Sequence, residues 1–172
     1  MDPAAVSIQV VNTGQQLSDI AELAGQIWRA HYPGIISREQ IDYMLARMYA
    51  PASLHAEVHQ ENIRFYQLLL HGHLTGFAAV GPTNHAGIFK LHKLYLRPER
   101  HGCGLGKQLL HHCEMEAARL GAHSLRLAVN KRNLRALVFY ERQGYAVTES
   151  VVADIGGGFV MDDYLMGKPL VQ

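Results

Sequence analysis

Residues 98–110 read PERHGCGLGKQLL and follow the apolar run FKLHKLYL at 89–96. Beyond them, Leu105, Leu109, Cys113, Ala117 and Leu120 fall in helical register as one buried side, and Gly121 supplies the stop. Three glycines at alternate positions, Gly102, Gly104 and Gly106, thus separate a strand from a helix. The first backbone amides of a helix have no carbonyl partners, and the helix dipole places partial positive charge there. Glycine removes the Cβ atoms that would obstruct an approaching anion and permits unusual φ. This arrangement constrains the chain to a strand–turn–helix unit whose mouth can cradle a phosphate, with Lys107 beside it. A helix start packed tightly on a strand would use the same residues.

The rest of the chain supplies a sheet for that unit. VSIQVV (6–11) reads as a strand, and Ile20, Leu23, Ala24, Ile27 and Trp28 make a helical stripe within 18–32, ended by Pro33-Gly34. Ser37 and Gln40 have the S-x-x-Q spacing of a capping box, with Ile36 and Ile41 as a hydrophobic staple. Ile41, Met44, Leu45 and Met48 then face one way, and ASLHAEV (52–58) adds a short helical turn. Segments 65–70, 74–80 and 88–96 read as strands, the first two joined by an HGH tip. SLRLAV (124–129) is a strand, 133–143 a helix, and two closing strands flank Ile155-Gly-Gly-Gly. The expectation is one α/β domain over 1–172, with a mixed sheet and helices on its faces. At 172 residues and 48% hydrophobic content, the chain can fill such a core.

Two familiar phosphate loops are excluded. The nucleoside-triphosphate loop needs Ser or Thr after Gly-Lys, where Gln108 stands, and a glycine at position 101, which is histidine. The dinucleotide pattern needs glycine at 107, which is lysine. A net charge of +1 gives no general affinity for nucleic acid or an anionic membrane. Arg97, Arg100, Lys107, Arg132 and Arg135 could still form a local anion site. The opening MDPAAVSIQVV lacks the basic start and long apolar stretch of a signal peptide, so the expected location is cytoplasmic. Cys103 and Cys113, read as lying on one helix, are too far apart to bridge. The pairs His55/His59 and His71/His73 lack a third ligand in sequence, so no metal is expected.

HGCGLG (101–106) and NLRALVFYERQGY (133–145) together resemble the GNAT superfamily of acyl-CoA-dependent N-acyltransferases. The first fills the family's [QR]-x-x-G-x-[GA] pattern except that His101 replaces Gln or Arg. The second carries an Asn, an Ala and Tyr-x-x-x-Gly-Tyr in the family's order. The likeness covers about 62–166, with a plausible two-helix amino-terminal part. It implies a largely antiparallel sheet with one splayed parallel strand pair, HKLYL and SLRLAV, and acetyl-CoA as co-substrate. Pyrophosphate would meet the amides of Gly102, Cys103, Gly104, Leu105, Gly106 and Lys107, with His101 adjoining. The pantetheine arm would pair with backbone groups of Leu94, Tyr95 and Leu96, and the Leu96 amide would bond the thioester carbonyl.

On the following helix, Asn133, Ala136 and Tyr140 share a face, while Leu134 and Val138 are expected to pack inward. Asn133 would bond the pantetheine amides, Ala136 would leave room for them, and Tyr140 would donate a proton to the leaving thiolate. Asn133 would also serve as a helix N-cap, and Tyr140 as a core residue. An alkylammonium of pKa ~10.4 must lose a proton before it attacks. His92, expected to share side-chain parity with Lys90, Leu94 and Leu96, is the candidate base. Glu61, Asp162 and Asp163 are alternatives.

Trp28, His31 and Tyr32 are candidate acceptor contacts, and Asp154, Asp162 and Asp163 stand near the closing hairpin as solvated turn residues or as attractors of an amine. The implied activity is acetyl transfer to a primary amine of a small molecule or peptide. A non-catalytic acyl-CoA sensor of the same fold and a nucleotide-phosphate binder are the competing readings. A homodimer through the closing strands would be in keeping with the resemblance.

Overall fold

The computed structural model describes residues 5–171, so part of the amino-terminal stretch read for a leader lies outside the described residues. In chain order the elements are β1 (Val6–Val10), α1 (Gly14–His31), α2 (Arg38–Met48), α3 (Pro51–His59), β2 (Arg64–Leu70), β3 (His73–Pro82), β4 (Ile88–Leu96), α4 (Leu105–Arg119), β5 (Ser124–Asn130), α5 (Leu134–Arg142), β6 (Ala146–Gly156) and β7 (Phe159–Pro169). The strands form one sheet in the order β1-β2-β3-β4-β5-β7-β6. Only β4 and β5 pair in parallel; every other neighbour is antiparallel.

Each face of the sheet carries its own core. Leu105, Leu109, Leu110, Cys113 and Ala117 of α4 pack with Leu91, Leu96, Leu125 and Leu127 on one side. Ile20, Leu23, Ala24, Ile27 and Trp28 of α1 pack with Ile41, Leu45, Phe65 and Phe77 on the other. Several local expectations are corrected. Helix α1 starts at Gly14, capped by Thr13 in a capping box with Gln16. Ser37 accepts from the Gln40 amide at 3.1 Å, but the return bond is absent because Gln40 Nε2 donates to Val160 O at 2.8 Å. A tertiary contact has displaced a local one.

Cys103 precedes α4, and Leu120 is its half-exposed C-cap rather than part of its buried side. Leu134 and Val138 are exposed, because α5 meets the protein only through Leu137, Tyr140 and their neighbours. The closing hairpin is held to α2 by Tyr43, whose hydroxyl donates to Ile155 O at 2.8 Å. A Cβ on Gly157 would lie 2.8 Å from the Tyr43 ring, so this turn must be glycine.

In β4, Lys93 stands opposite Ala79 and Leu91 opposite Val80, which leaves His92 without a partner in a β-bulge. The side-chain alternation therefore slips by one at His92. Phe89 and Leu91 share a core with Leu94 and Leu96, and the expected grouping of His92 and Lys90 with Leu94 and Leu96 does not hold.

Candidate active site

Beyond Lys90 the parallel pair separates, since β4 and β5 are matched only over Ile88–Lys90 and Ser124–Arg126. The pairing of Arg97 N–H with Thr75 O, 2.9 Å, sets the alternation along β4. Tyr95 turns its backbone groups to β3, whereas Leu94 and Leu96 turn theirs into the opening. Of the three residues expected to present free backbone there, two do. The Leu96 carbonyl is already engaged by His101 Nε2 at 3.0 Å.

At the mouth of α4, Gly104 is the N-cap with φ 85° and no side chain caps the turn. The first bond of the helix runs from Gln108 N–H to Gly104 O, 3.1 Å, so the amides of Leu105, Gly106 and Lys107 are left without carbonyl partners. A Cβ on Gly102 or Gly104 would meet no atom within 4 Å, which marks open space in front of those amides. Gly106 differs: it has an ordinary helical φ, and an added Cβ would touch Leu96 Cδ1 at 3.4 Å and Phe139 Cζ at 3.6 Å. Gly104→Ala should therefore cost about 1–2 kcal/mol of stability from left-handed strain, while Gly106→Ala should stay within about 0.5 kcal/mol. Urea unfolding of both variants checks this.

A cavity of about 270 Å³ runs from Gly102, Gly104, Gly106 and Lys107 along Leu94, Tyr95 and Leu96 to Asn133, Ala136 and Tyr140. The contacts expected at Cys103 and Leu105 are through their backbone amides, and their side chains are engaged elsewhere. Cys103 Sγ donates to Arg100 O and Leu105 is fully buried in the core, so only their backbones face this region. Arg135 and Phe139 also line the cavity. Their signal was available: each precedes an expected contact, Ala136 or Tyr140, by one position. Of the scattered basic residues, only Lys107 and Arg135 reach it; Arg97 bonds Leu74 O and Gln26, and Arg132 bonds Gly34 O.

Asn133 accepts from the Ala136 amide at 3.3 Å, so its carbonyl oxygen serves as the N-cap of α5. Tyr140 is nearly buried and its hydroxyl makes no hydrogen bond among the described residues. Burial raises its pKa above the ordinary 10, with Tyr32 and Cys113 adding to the effect, so the phenol keeps its proton at neutral pH. His31 lines this same cavity rather than a separate acceptor pocket, and Tyr32 lines both.

A second cavity, about 300 Å³, adjoins the first along Leu94, Tyr95, Asn133, Ala136 and Tyr140. Its other walls include Trp28, Met44, Met48, Lys90, His92, Met161 and Asp163. Trp28 is 2% exposed and packs 4.7 Å from Tyr32 and 5.8 Å from Tyr95, so it belongs to the core and to the wall alike. Asp163 is buried, not a solvated turn residue, and its Oδ1 has no partner. Asp162 is paired with Lys131, Asp154 accepts from the Gly156 amide, and Glu61 sits in an exposed turn lining neither cavity.

His92 faces the second cavity with Nε2 buried and unpartnered. Burial, then Lys90 and Lys93, pull its pKa from 6.5 down to about 4. It is neutral at pH 7 but a weak base. Burial, with Asp162 beside it, raises the Asp163 carboxyl above its ordinary value. For His92 the unfolded chain binds the extra proton first as pH falls from 6.5 to about 4. Stability is full above that window and declines through it, by on the order of 3 kcal/mol. Thermal melts between pH 7 and 4.5 should show this decline, and His92→Gln should flatten it.

Among the described residues, no group of three His, Cys, Asp or Glu side chains comes together to hold a metal, and no helix is long and apolar enough to cross a membrane. The acetyltransferase (GNAT) family profile matches residues 20–145. The spermidine N(1)-acetyltransferase of Thermoplasma acidophilum is 29% identical over 152 residues, which is 86% of this chain and 91% of that one. The crystal structure of the PaiA N-acetyltransferase from the same organism, solved with coenzyme A, superposes with a TM-score of 0.78 at 27% identity, covering 95% of this chain and 99% of that one. A GCN5-related N-acetyltransferase from Rhodopseudomonas palustris shares the fold with a TM-score of 0.80 at 19% identity, covering 99% of each chain. The splayed strand pair, the glycine-led helix and the matched profile coincide on the same residues, and the chain belongs to the acetyltransferase (GNAT) family.

Proposed function

We propose that this protein transfers an acetyl group from acetyl-CoA to a primary amine of a small molecule or peptide, by direct attack in a ternary complex. One observation carries the reading: a cavity that runs from the mouth of α4, with its three unpartnered amides, to Tyr140. A diphosphate accepts those amides' hydrogen bonds, with Lys107 and Arg135 supplying charge. The pantetheine arm extends along Leu94 and Leu96, whose inward backbone groups, apart from the Leu96 carbonyl held by His101, act as the free edge of a strand. The coenzyme A bound in the T. acidophilum relative supports the choice of co-substrate.

The amine nitrogen attacks the thioester carbonyl carbon, and the Leu96 amide stabilises the oxygen that gains charge. As the C–S bond breaks, Tyr140 donates its phenolic hydrogen to the leaving sulfur. The proton lost from the amine passes to the second cavity, whose walls include His92 and Asp163. Asn133 and Ala136 shape the passage between the cavities.

Acetyl-CoA should raise the melting temperature and a nucleoside triphosphate should not; the reverse would overturn the assignment. An amine-panel screen that detects released thiol tests the transfer itself. Thermal stabilisation without thiol release from any amine would favour the sensor reading.

A further inference from the structure

The charges that line the second cavity are not all paired with one another, and the two left over bear on what it takes in. Four ionisable side chains of fixed charge type line it: Glu57, Lys90, Lys93 and Asp163. Glu57 and Lys93 neutralise each other in a buried ion pair. Asp163 remains, 4% exposed, with Oδ1 buried and bonded to nothing, and its neighbour Asp162 is held by Lys131. Lys90 remains too, exposed at the surface and in no ion pair among the described residues. The rest of the lining is largely apolar, with Ile36, Met44, Met48, Leu127, Val129 and Met161.

Resting on the acetyltransferase reading above, we infer that the acceptor is an apolar amino-carboxylate, such as an α-amino acid with an aliphatic side chain. Its ammonium group meets Asp163, its carboxylate meets Lys90, and its side chain lies on the methionines. A buried carboxylate oxygen without a donor is costly unless a guest supplies one. An ammonium beside Asp163 offsets that cost through its charge. A polyamine would bring further ammonium groups into a cavity that already holds Lys90 and Lys93 and offers no second free carboxylate. The apolar lining rewards an uncharged body, and methionine side chains adapt to its shape. Lys90 gives the guest's negative end a partner at the exposed rim, where the cost of desolvation is small. The charge count thus points away from the substrate for which the T. acidophilum relative is named.

The test uses the full chain with L-leucine, isoamylamine (the same molecule without its carboxylate) and spermidine. Thiol release with acetyl-CoA should give a kcat/KM about three- to fivefold higher for L-leucine than for either amine. In Lys90→Gln the ratio of L-leucine to isoamylamine should fall toward one, because only the carboxylate contact is lost. Calorimetric titration of L-leucine into the coenzyme A complex reads the acceptor site without turnover, and Asp163→Asn and Lys90→Gln should each weaken that binding. Preference for spermidine or isoamylamine, or a ratio indifferent to Lys90→Gln, overturns the inference while leaving acetyl transfer intact. Leucine binding without thiol release from any amine overturns the acceptor role together with the transfer reading. No leucine binding and no leucine turnover overturns it.

Discussion

Replacing Tyr140 with phenylalanine is expected to lower turnover roughly a hundred- to thousand-fold while acetyl-CoA affinity shifts by less than about threefold. The hydroxyl is the only part removed, and it makes no hydrogen bond among the described residues. No buried partner is orphaned, so the fold should tolerate the change. The ring stays packed 5.1 Å from Phe139 and 5.6 Å from Tyr145. What disappears is a proton donor at the point where the two cavities meet. Because burial keeps the phenol protonated well past neutrality, the loss should be seen across the whole working pH range. Single-turnover rates together with coenzyme titration separate the two parameters. Unchanged turnover would remove the donor role.

The second large effect is on stability. The Lys93 side chain is 3% exposed, packed over the Tyr49 and Phe65 rings, and paired with Glu57. Burial holds its ammonium below the ordinary pKa despite the attraction of Glu57. Glu57→Ala removes the partner and leaves a cation in an apolar setting, at a cost of about 3 kcal/mol, since breaking one side of a buried pair is far worse than removing both. For a chain of this size that is roughly a 6–12 °C fall in melting temperature. Glu57→Leu combined with Lys93→Met should recover most of it. A double variant as unstable as the single one would show that packing, not the charge, sets the cost.

Much of this architecture was legible because it follows from local rules. The glycines at 102 and 104, the Asn133 cap and the stripe on α1 each announce a backbone requirement within a few residues. What stayed hidden depends on distant partners. Nothing near Gln40 in sequence foretells that its side chain reaches Val160 instead of closing a capping box. The bulge at His92 is a mismatch between two strands, invisible along either one. Asp163 looked like a turn residue because alternation in β7 cannot say which face is covered. The parity argument for His92 and the inward packing of Leu134 and Val138 failed for this same reason. Each assumed a regular neighbour that the fold does not supply.

The two hollows share a boundary at Tyr32, Leu94, Tyr95, Asn133, Ala136 and Tyr140, and beyond it one runs to the mouth of α4 and the other to α2 and β7. Under the proposed reaction neither reactant blocks the other's hollow, so loading in either order is expected. Initial-rate plots at varied concentrations of both reactants should therefore intersect, and each product should inhibit most simply against the reactant whose hollow it shares.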